Sequence, residues 1–371
     1  QMELFEKAKS FFGGSKDITG QHIQLKVCMM GPRGVGKTTI LTSIFHDSDA
    51  KLNKDGLYFS AIGETALKLE DGYKNLAEIF KEIPDENATP LPGIDASKGV
   101  TEFQFKLGLK GDGAHKDKRA SVGVTIKDFP GEFVDETHPE HGQVIQFIKE
   151  SQVIMLAVDS VHLIEENGKY NESRNQSSYM CDKISSILKQ LDSTEHKLIL
   201  IVPLKCEKYF MQKSMSNLTD KVCTAYKSLI EEIRTDYKDK IGLYITPIQT
   251  LGGVVFSKFG KDATGTVSIG IDNCPNDVQY RFFRAIPDRK PMYMPVYCVQ
   301  PMYYLVSFAL NQYKRNQNKG GVLGSIFKGL FSLFSSDLIF YQACQNFVSH
   351  IKTSGDGYVI LNNPNLINSN S

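Results

Sequence analysis

The chain has no tryptophan, few cysteines and no surplus of either charge. Its seven cysteines, at 28, 181, 206, 223, 274, 298 and 344, include no Cys-x-x-Cys pair. That scatter argues against a zinc site or a disulfide frame and reads as reduced thiols. Lys and Arg number 43 against 42 Asp and Glu, a net charge of +1. Such a balance argues against a general electrostatic nucleic-acid binder, although a local patch stays open. No run of about 18 uncharged apolar residues occurs, and no signal-peptide pattern, so the expectation is a soluble, cytoplasmic protein without a transmembrane segment. Met2 reads as the natural start, and the lack of Trp with abundant Lys, Asn and Ile points to an AT-rich, bacterial genome. What is present is an apolar fraction of 41% in 371 residues. That fraction can fill a sizeable core without a disulfide or metal staple.

Short apolar runs alternate with amphipathic ones. Apolar spacing predicts a helix over 2–12 and a strand over 23–30, with a buried helix from 39. A strand at 57–62 is followed by a helix over 64–83 and a Pro-rich loop over 84–99. Period-two alternation over 100–109 and 121–128, around a charged turn at 111–118, reads as a hairpin. Strands are then expected at 152–158, 197–202 and 241–248, separated by helices near 139–151, 177–192 and 215–238. This order predicts an α/β fold: a mostly parallel sheet covered on both faces, with one antiparallel edge strand.

The first chemical signal is Gly31-Pro-Arg-Gly-Val-Gly-Lys37-Thr38, a complete Gly-x4-Gly-Lys-Thr phosphate loop between the first strand and the following helix. Backbone N–H groups from Gly31 through Gly34, Val35, Gly36 and Lys37 to Thr38 and Thr39, at a helix N-terminus, suit a nucleoside triphosphate. Lys37 is expected to neutralise β- and γ-phosphates, and the Thr38 hydroxyl to ligate Mg²⁺. About 90 residues on, Asp128-Phe-Pro-Gly131 closes an apolar strand. Asp128 there can hold Mg²⁺ through a water, and Gly131 can offer its N–H to a γ-phosphate; a plain turn capped by an Asp is the other reading. A third signal follows the 197–202 strand. Lys205-Cys206-Glu207 has the spacing of a guanine-reading Lys-x-Asp, with Glu for Asp and Leu204 for the usual Asn. Glu207 can accept both guanine N–H groups, and the N–H groups near Thr250 and Leu251 can meet the guanine oxygen. An ordinary solvated Lys–Glu pair is the alternative.

These motifs, in this order, resemble the GTPase superfamily of the translation-factor and small-GTPase kind. The spellings Gly-Pro-Arg-Gly-Val-Gly-Lys-Thr-Thr, Asp-Phe-Pro-Gly and Lys-Cys-Glu look most like bacterial double-GTPase domains of anti-phage conflict systems. The resemblance covers about residues 21–257. It makes Ser97, before Gly99 and Phe103-Gln-Phe105, the switch ligand for Mg²⁺, with Thr101 and Thr89 as competitors. Two departures bear on catalysis. Glu132 replaces the Gln that small GTPases place after the Asp-x-x-Gly. Arg33 replaces a Gly, and can act as a finger on the phosphates, block one from outside, or point to solvent.

The implied protein is a GTP- and Mg²⁺-dependent switch in bacterial signalling or anti-phage conflict. Its hydrolysis is expected to be slow without a protein partner or self-association. An ATPase or nucleotide kinase is the runner-up, as is a nucleotide-sensing assembly scaffold. Against a kinase, the polar loop 258–275 has only Lys258 and Lys261 as basic residues. The expected layout is an N-terminal helix and linker over 1–20, the GTPase-like domain over 21–257, a loop and helical extension over 258–361, and a disordered tail over 362–371. Residues 293–308 are aromatic and lead into a helix ending near Arg315, read as a final helix packed on the sheet. Residues 322–334, apolar with only Lys328 charged, suit either a hairpin with 338–351 or a docking or peripheral membrane contact.

Overall fold

The structure, a computed structural model, describes residues 24–32, 34–80, 89–90, 100–110, 121–129, 133, 136–192, 195–271, 273–282, 292–319, 333–335 and 337–367. The first strand, β1 (Gln24–Met30), buries Leu25, Val27 and Met29 on one face and Cys28 and Met30 on the other. A strand buried on both sides belongs inside a helix-covered sheet. In chain order there follow α1 (Lys37–Lys54), β2 (Leu57–Ala61), α2 (Glu64–Ile79), β3 (Thr89–Pro90), β4 (Thr101–Leu109) and β5 (Ser121–Asp128). Next come α3 (His141–Glu150), β6 (Val153–Asp159), α4 (Ser160–Ile164), α5 (Asn171–Asn175), α6 (Ser177–Leu188), β7 (Lys197–Leu204) and α7 (Glu207–Met211). The rest are α8 (Met215–Ala225), α9 (Lys227–Asp236), β8 (Ile241–Ile245), β9 (Val254–Phe259), β10 (Val278–Phe282), α10 (Gln300–Lys319), α11 (Leu338–Val348) and β11 (Val359–Asn362).

The main sheet has the order β11-β8-β7-β6-β1-β5-β4-β2. Strands β5, β1, β6, β7 and β8 run parallel. Strand β4 is antiparallel to β5, and β2 to β4. This is the expected mostly parallel α/β class with its antiparallel edge. The structure adds an antiparallel strand at the opposite edge, where β11 pairs with β8. One face carries α1, α10 and α11, which bury Ile40, Leu41, Tyr304, Phe308, Phe340 and Phe347 against it. The other carries α3, α6, α8 and α9, with Ile148, Ile184, Leu218 and Ile233. Alternation along β7 serves both layers: Leu198, Leu200 and Val202 on one side, Ile199 and Ile201 on the other.

Several expectations change. The single helix over 215–238 is two, because buried Tyr226 leaves helical geometry at φ −110°, ψ 22°. Residues 258 and 259 are strand, not loop: β9 pairs antiparallel with β10, and β10 with β3, in a second, three-stranded sheet. The expected disordered tail does not hold over 362–367. Asn362 Nδ2 donates to the Lys238 and Ile241 carbonyls at 3.0 and 2.6 Å, and Leu366 and Ile367 are buried. Two apolar side chains among the Asn residues supply the anchor that composition conceals. The expected helix 2–12 lies outside the described residues, as do 320–332 of the apolar segment. Leu333 and Phe334 pack inward, Phe334 against Tyr313 and Phe340. No helix among the described residues is long and apolar enough to cross a membrane.

Candidate functional site

The C-terminal ends of β1, β5, β6 and β7 converge, and each contributes a motif. After β1 the chain turns through Gly31, Gly34 and Gly36, all at positive φ, before α1 begins at Lys37. Gly36, at φ +111°, lets the loop enter the helix directly, which few side-chain-bearing residues would tolerate. The first amides of α1 have no intrahelical acceptor and offer a natural anion site. Lys37 is buried, and its ammonium donates to the Gly31 and Pro32 carbonyls at 2.8 and 3.1 Å. Its Nζ lies 3.6 Å from Asp128 Oδ1.

Parallel pairing of β1 with β5 brings Asp128 beside the loop. Thr38 Oγ1 donates to Asp128 Oδ2 at 3.3 Å, while Oδ1 accepts no hydrogen bond. Burial pushes the Asp128 carboxyl up, and Lys37 and Thr38 offset part of that. A buried carboxylate, whose Oδ1 meets the Lys37 ammonium at 3.6 Å, next to a Thr hydroxyl is a hard-oxygen pair of the kind a magnesium ion takes. Among the described residues no group of three His, Cys, Asp or Glu side chains forms a fuller metal cage. Of the three candidate switch ligands, Thr101 stands opposite Asp128 in the β4–β5 register, and Thr89 pairs with Tyr280 in the second sheet. Ser97 lies outside the described residues, as do Arg33, Gly131 and Glu132.

The third motif folds into a closed unit. Lys205 takes φ +59°, its N–H donates to Thr250 Oγ1 at 3.1 Å, and its ammonium reaches Asp159 Oδ2 at 2.6 Å. Glu207 is buried, and its Oε1 accepts from the Leu251 and Gly252 N–H groups at 2.7 and 3.2 Å. Thus Lys205, Glu207, Thr250 and Leu251 do come together. The Leu251 N–H expected to face a guanine oxygen donates to Glu207 instead. Burial raises the Glu207 carboxyl, and the loop N–H groups hold it back.

Sequence reasoning missed Asp159, which ends the buried β6 as Asp128 ends β5. A lone carboxylate closing an apolar strand was the available signal. Its Oδ1 caps α4 through the Val161 and His162 N–H groups, and His162 Nδ1 lies 3.0 Å from it. Burial alone would raise this carboxyl, but Lys205 and His162 outweigh it and hold it well below the usual range. Tyr280 of β10 was also missed. It packs against the cluster of Phe80 and Val254, and its phenol feels the charges of Lys205, Asp159, Glu207 and Arg174. Nothing in the local sequence ties residue 280 to residue 205.

No protein-family model matches the chain, and no curated protein matches it. Two solved structures of the S. cerevisiae Ski7 GTPase-like domain are similar to it in fold. The one bound to GTP is 14% identical with a TM-score of 0.32, and the match covers 62% of this chain and 44% of that one. The one bound to GDP and inorganic phosphate is 15% identical, with the same coverage and a TM-score of 0.32. The chain thus spans less than half the length of the chains it matches.

Proposed function

We propose that this chain binds GTP at the loop 31–38 and hydrolyses it slowly, as a conformational switch. The observation that carries the reading is the cluster of buried Lys37 and Asp128 with half-buried Thr38 at the start of α1, with Lys205 and Glu207 on the same edge of the sheet. Lys37, held on two loop carbonyls, is poised to exchange them for β- and γ-phosphate oxygens. Thr38 and Asp128 would hold Mg²⁺, with Ser97 or Thr101 as the switch ligand. When bound, the ion neutralises phosphate charge. The stem of Lys205 would lie on the base while Asp159 fixes its ammonium. Glu207 would read guanine with the oxygen not bonded to the 251–252 loop, and Gly131 would sense the γ-phosphate. With Glu132 in place of a neutral water-aligning Gln, turnover is slow.

Lys37→Ala should remove most nucleotide affinity, by a hundredfold or more on the order expected for a buried charge pair. Titration calorimetry with GTP·Mg²⁺ that is unchanged in this variant would sink the reading. Competition of GTP and ATP for a fluorescent nucleotide decides between this reading and an ATPase or nucleotide kinase: GTP must win. The role in a bacterial signalling or anti-phage system follows from the motif resemblance alone. A chain that binds GTP but never turns it over would instead be a nucleotide-sensing scaffold.

A further inference from the structure

We infer that Arg174 is a further catalytic residue of the phosphate site, an arginine that the chain's own α5 lays over the phosphate loop. The inference rests on the nucleotide reading given above and adds a group that no motif announces. A Cβ built on Gly34 would lie 2.8 Å from Arg174 Nη2, and 3.6 and 3.8 Å from its Cζ and Nη1. All three terminal guanidinium atoms therefore face the loop, with no side chain between. Gly34 is at φ +73°, so two independent constraints keep that position bare.

The guanidinium is neither neutralised nor fully satisfied. Its Nε is buried with no hydrogen-bond partner, and among the described residues no carboxylate lies within ion-pair distance. The nearby Asp159 is already engaged by Lys205 and His162. A half-buried cation left so is costly unless an anion arrives to share its field. A triphosphate in the loop is that anion.

Its position is also fixed in advance. Asn175, the last residue of α5, accepts from the Asp159 N–H at 2.7 Å and donates to the Asp159 carbonyl at 3.1 Å. Asn171 donates to Ser177 at 2.8 Å and accepts from Asn175 at 2.9 Å. These bonds clamp α5 to the end of β6, the strand beside β1. A donor held in place before reaction needs little reorganisation when charge develops. In hydrolysis a water oxygen bonds to the γ-phosphorus and the bond from that phosphorus to the β,γ-bridging oxygen breaks. The electron pair stays on the β-phosphate of GDP, and the water's protons pass to inorganic phosphate and solvent. Arg174 stays protonated throughout and donates to the oxygens on which negative charge builds.

The test uses the full chain, with Arg174→Ala and Arg174→Lys beside the wild type. Fluorescent GTP binding is expected to weaken in Arg174→Ala, since the triphosphate shares the field of this cation, but by much less than hydrolysis slows, because an arginine of this kind acts mostly on the breaking bond. Single-turnover hydrolysis should fall about a hundredfold or more in Arg174→Ala. Arg174→Lys, which keeps the charge but loses the planar fork, should recover part of it. GDP with fluoroaluminate, a mimic of the transferring phosphoryl group, should be captured by the wild type and lost in Arg174→Ala. Equal hydrolysis, or equal capture of GDP–fluoroaluminate, by wild type and both variants overturns the role of Arg174 and leaves GTP binding standing. A wild type that binds neither GTP nor GDP overturns both.

Discussion

Glu207 gives one oxygen to two backbone N–H groups of its own protein, which sets two jobs against each other. The proposed one is to read guanine; the other, seen in the structure, is to hold the 250–252 loop. A glutamine separates them, since its carbonyl oxygen can still accept from Leu251 and Gly252. Its NH₂, however, would point donors at the donors of guanine. We expect Glu207→Gln to lose the GTP-over-ATP preference as fully as Glu207→Ala, by about tenfold or more in competition binding. A glutamine variant that keeps the preference would assign Glu207 to the loop alone. At this scale the sequence was legible wherever the candidate site is written in consecutive residues. Gly31 to Thr38, Asp128 and Lys205-x-Glu207 all declare themselves by local spacing. Arg174 and Tyr280 do not, because they meet the site only through the packing of α5 and β10.

Among the elements, the strands of the parallel core were readable because both faces are buried and their apolar runs are unbroken. Boundaries failed where one residue decides, as at Tyr226, or where pairing is non-local, as in β9 and β10. The junction of β7 with α3 yields a test of its own. Lys197, the first residue of β7, donates its ammonium to the Lys149 and Ser151 carbonyls at 2.5 and 2.6 Å, satisfying the C-terminal end of α3. Burial, partly opposed by Glu195, lowers its pKa to about 8. An unfolded lysine titrates near 10.4. Below pH 8 both states carry the proton and the cost of burying charge is present in full. Between the two values only the unfolded chain holds the proton, so this group's contribution to stability rises with pH, by up to about 3 kcal/mol. Denaturant unfolding from pH 7 to 10 should therefore show the wild type gaining on Lys197→Met by roughly 2 kcal/mol. Parallel stability curves would mean that the ammonium is solvated.

For the whole molecule, the inferred cis arginine would make turnover a property of one chain. The specific rate of GTP hydrolysis should be flat over a hundredfold range of protein concentration, roughly the 10⁻² s⁻¹ of GTPases that carry an arginine in cis. A specific rate that climbs with concentration would return activation to self-association. Strand β11 has a consequence of another kind, in the order of manufacture. It is translated after every other strand of the sheet, yet it covers the outer edge of β8. Until residues 359–362 leave the ribosome, β8 presents an unpaired ladder to its surroundings, the kind of edge on which neighbouring nascent chains stick together. Completion of this sheet therefore waits for the last of its strands to be translated, and a chain cut before residue 359 would carry a ready-made nucleus for aggregation.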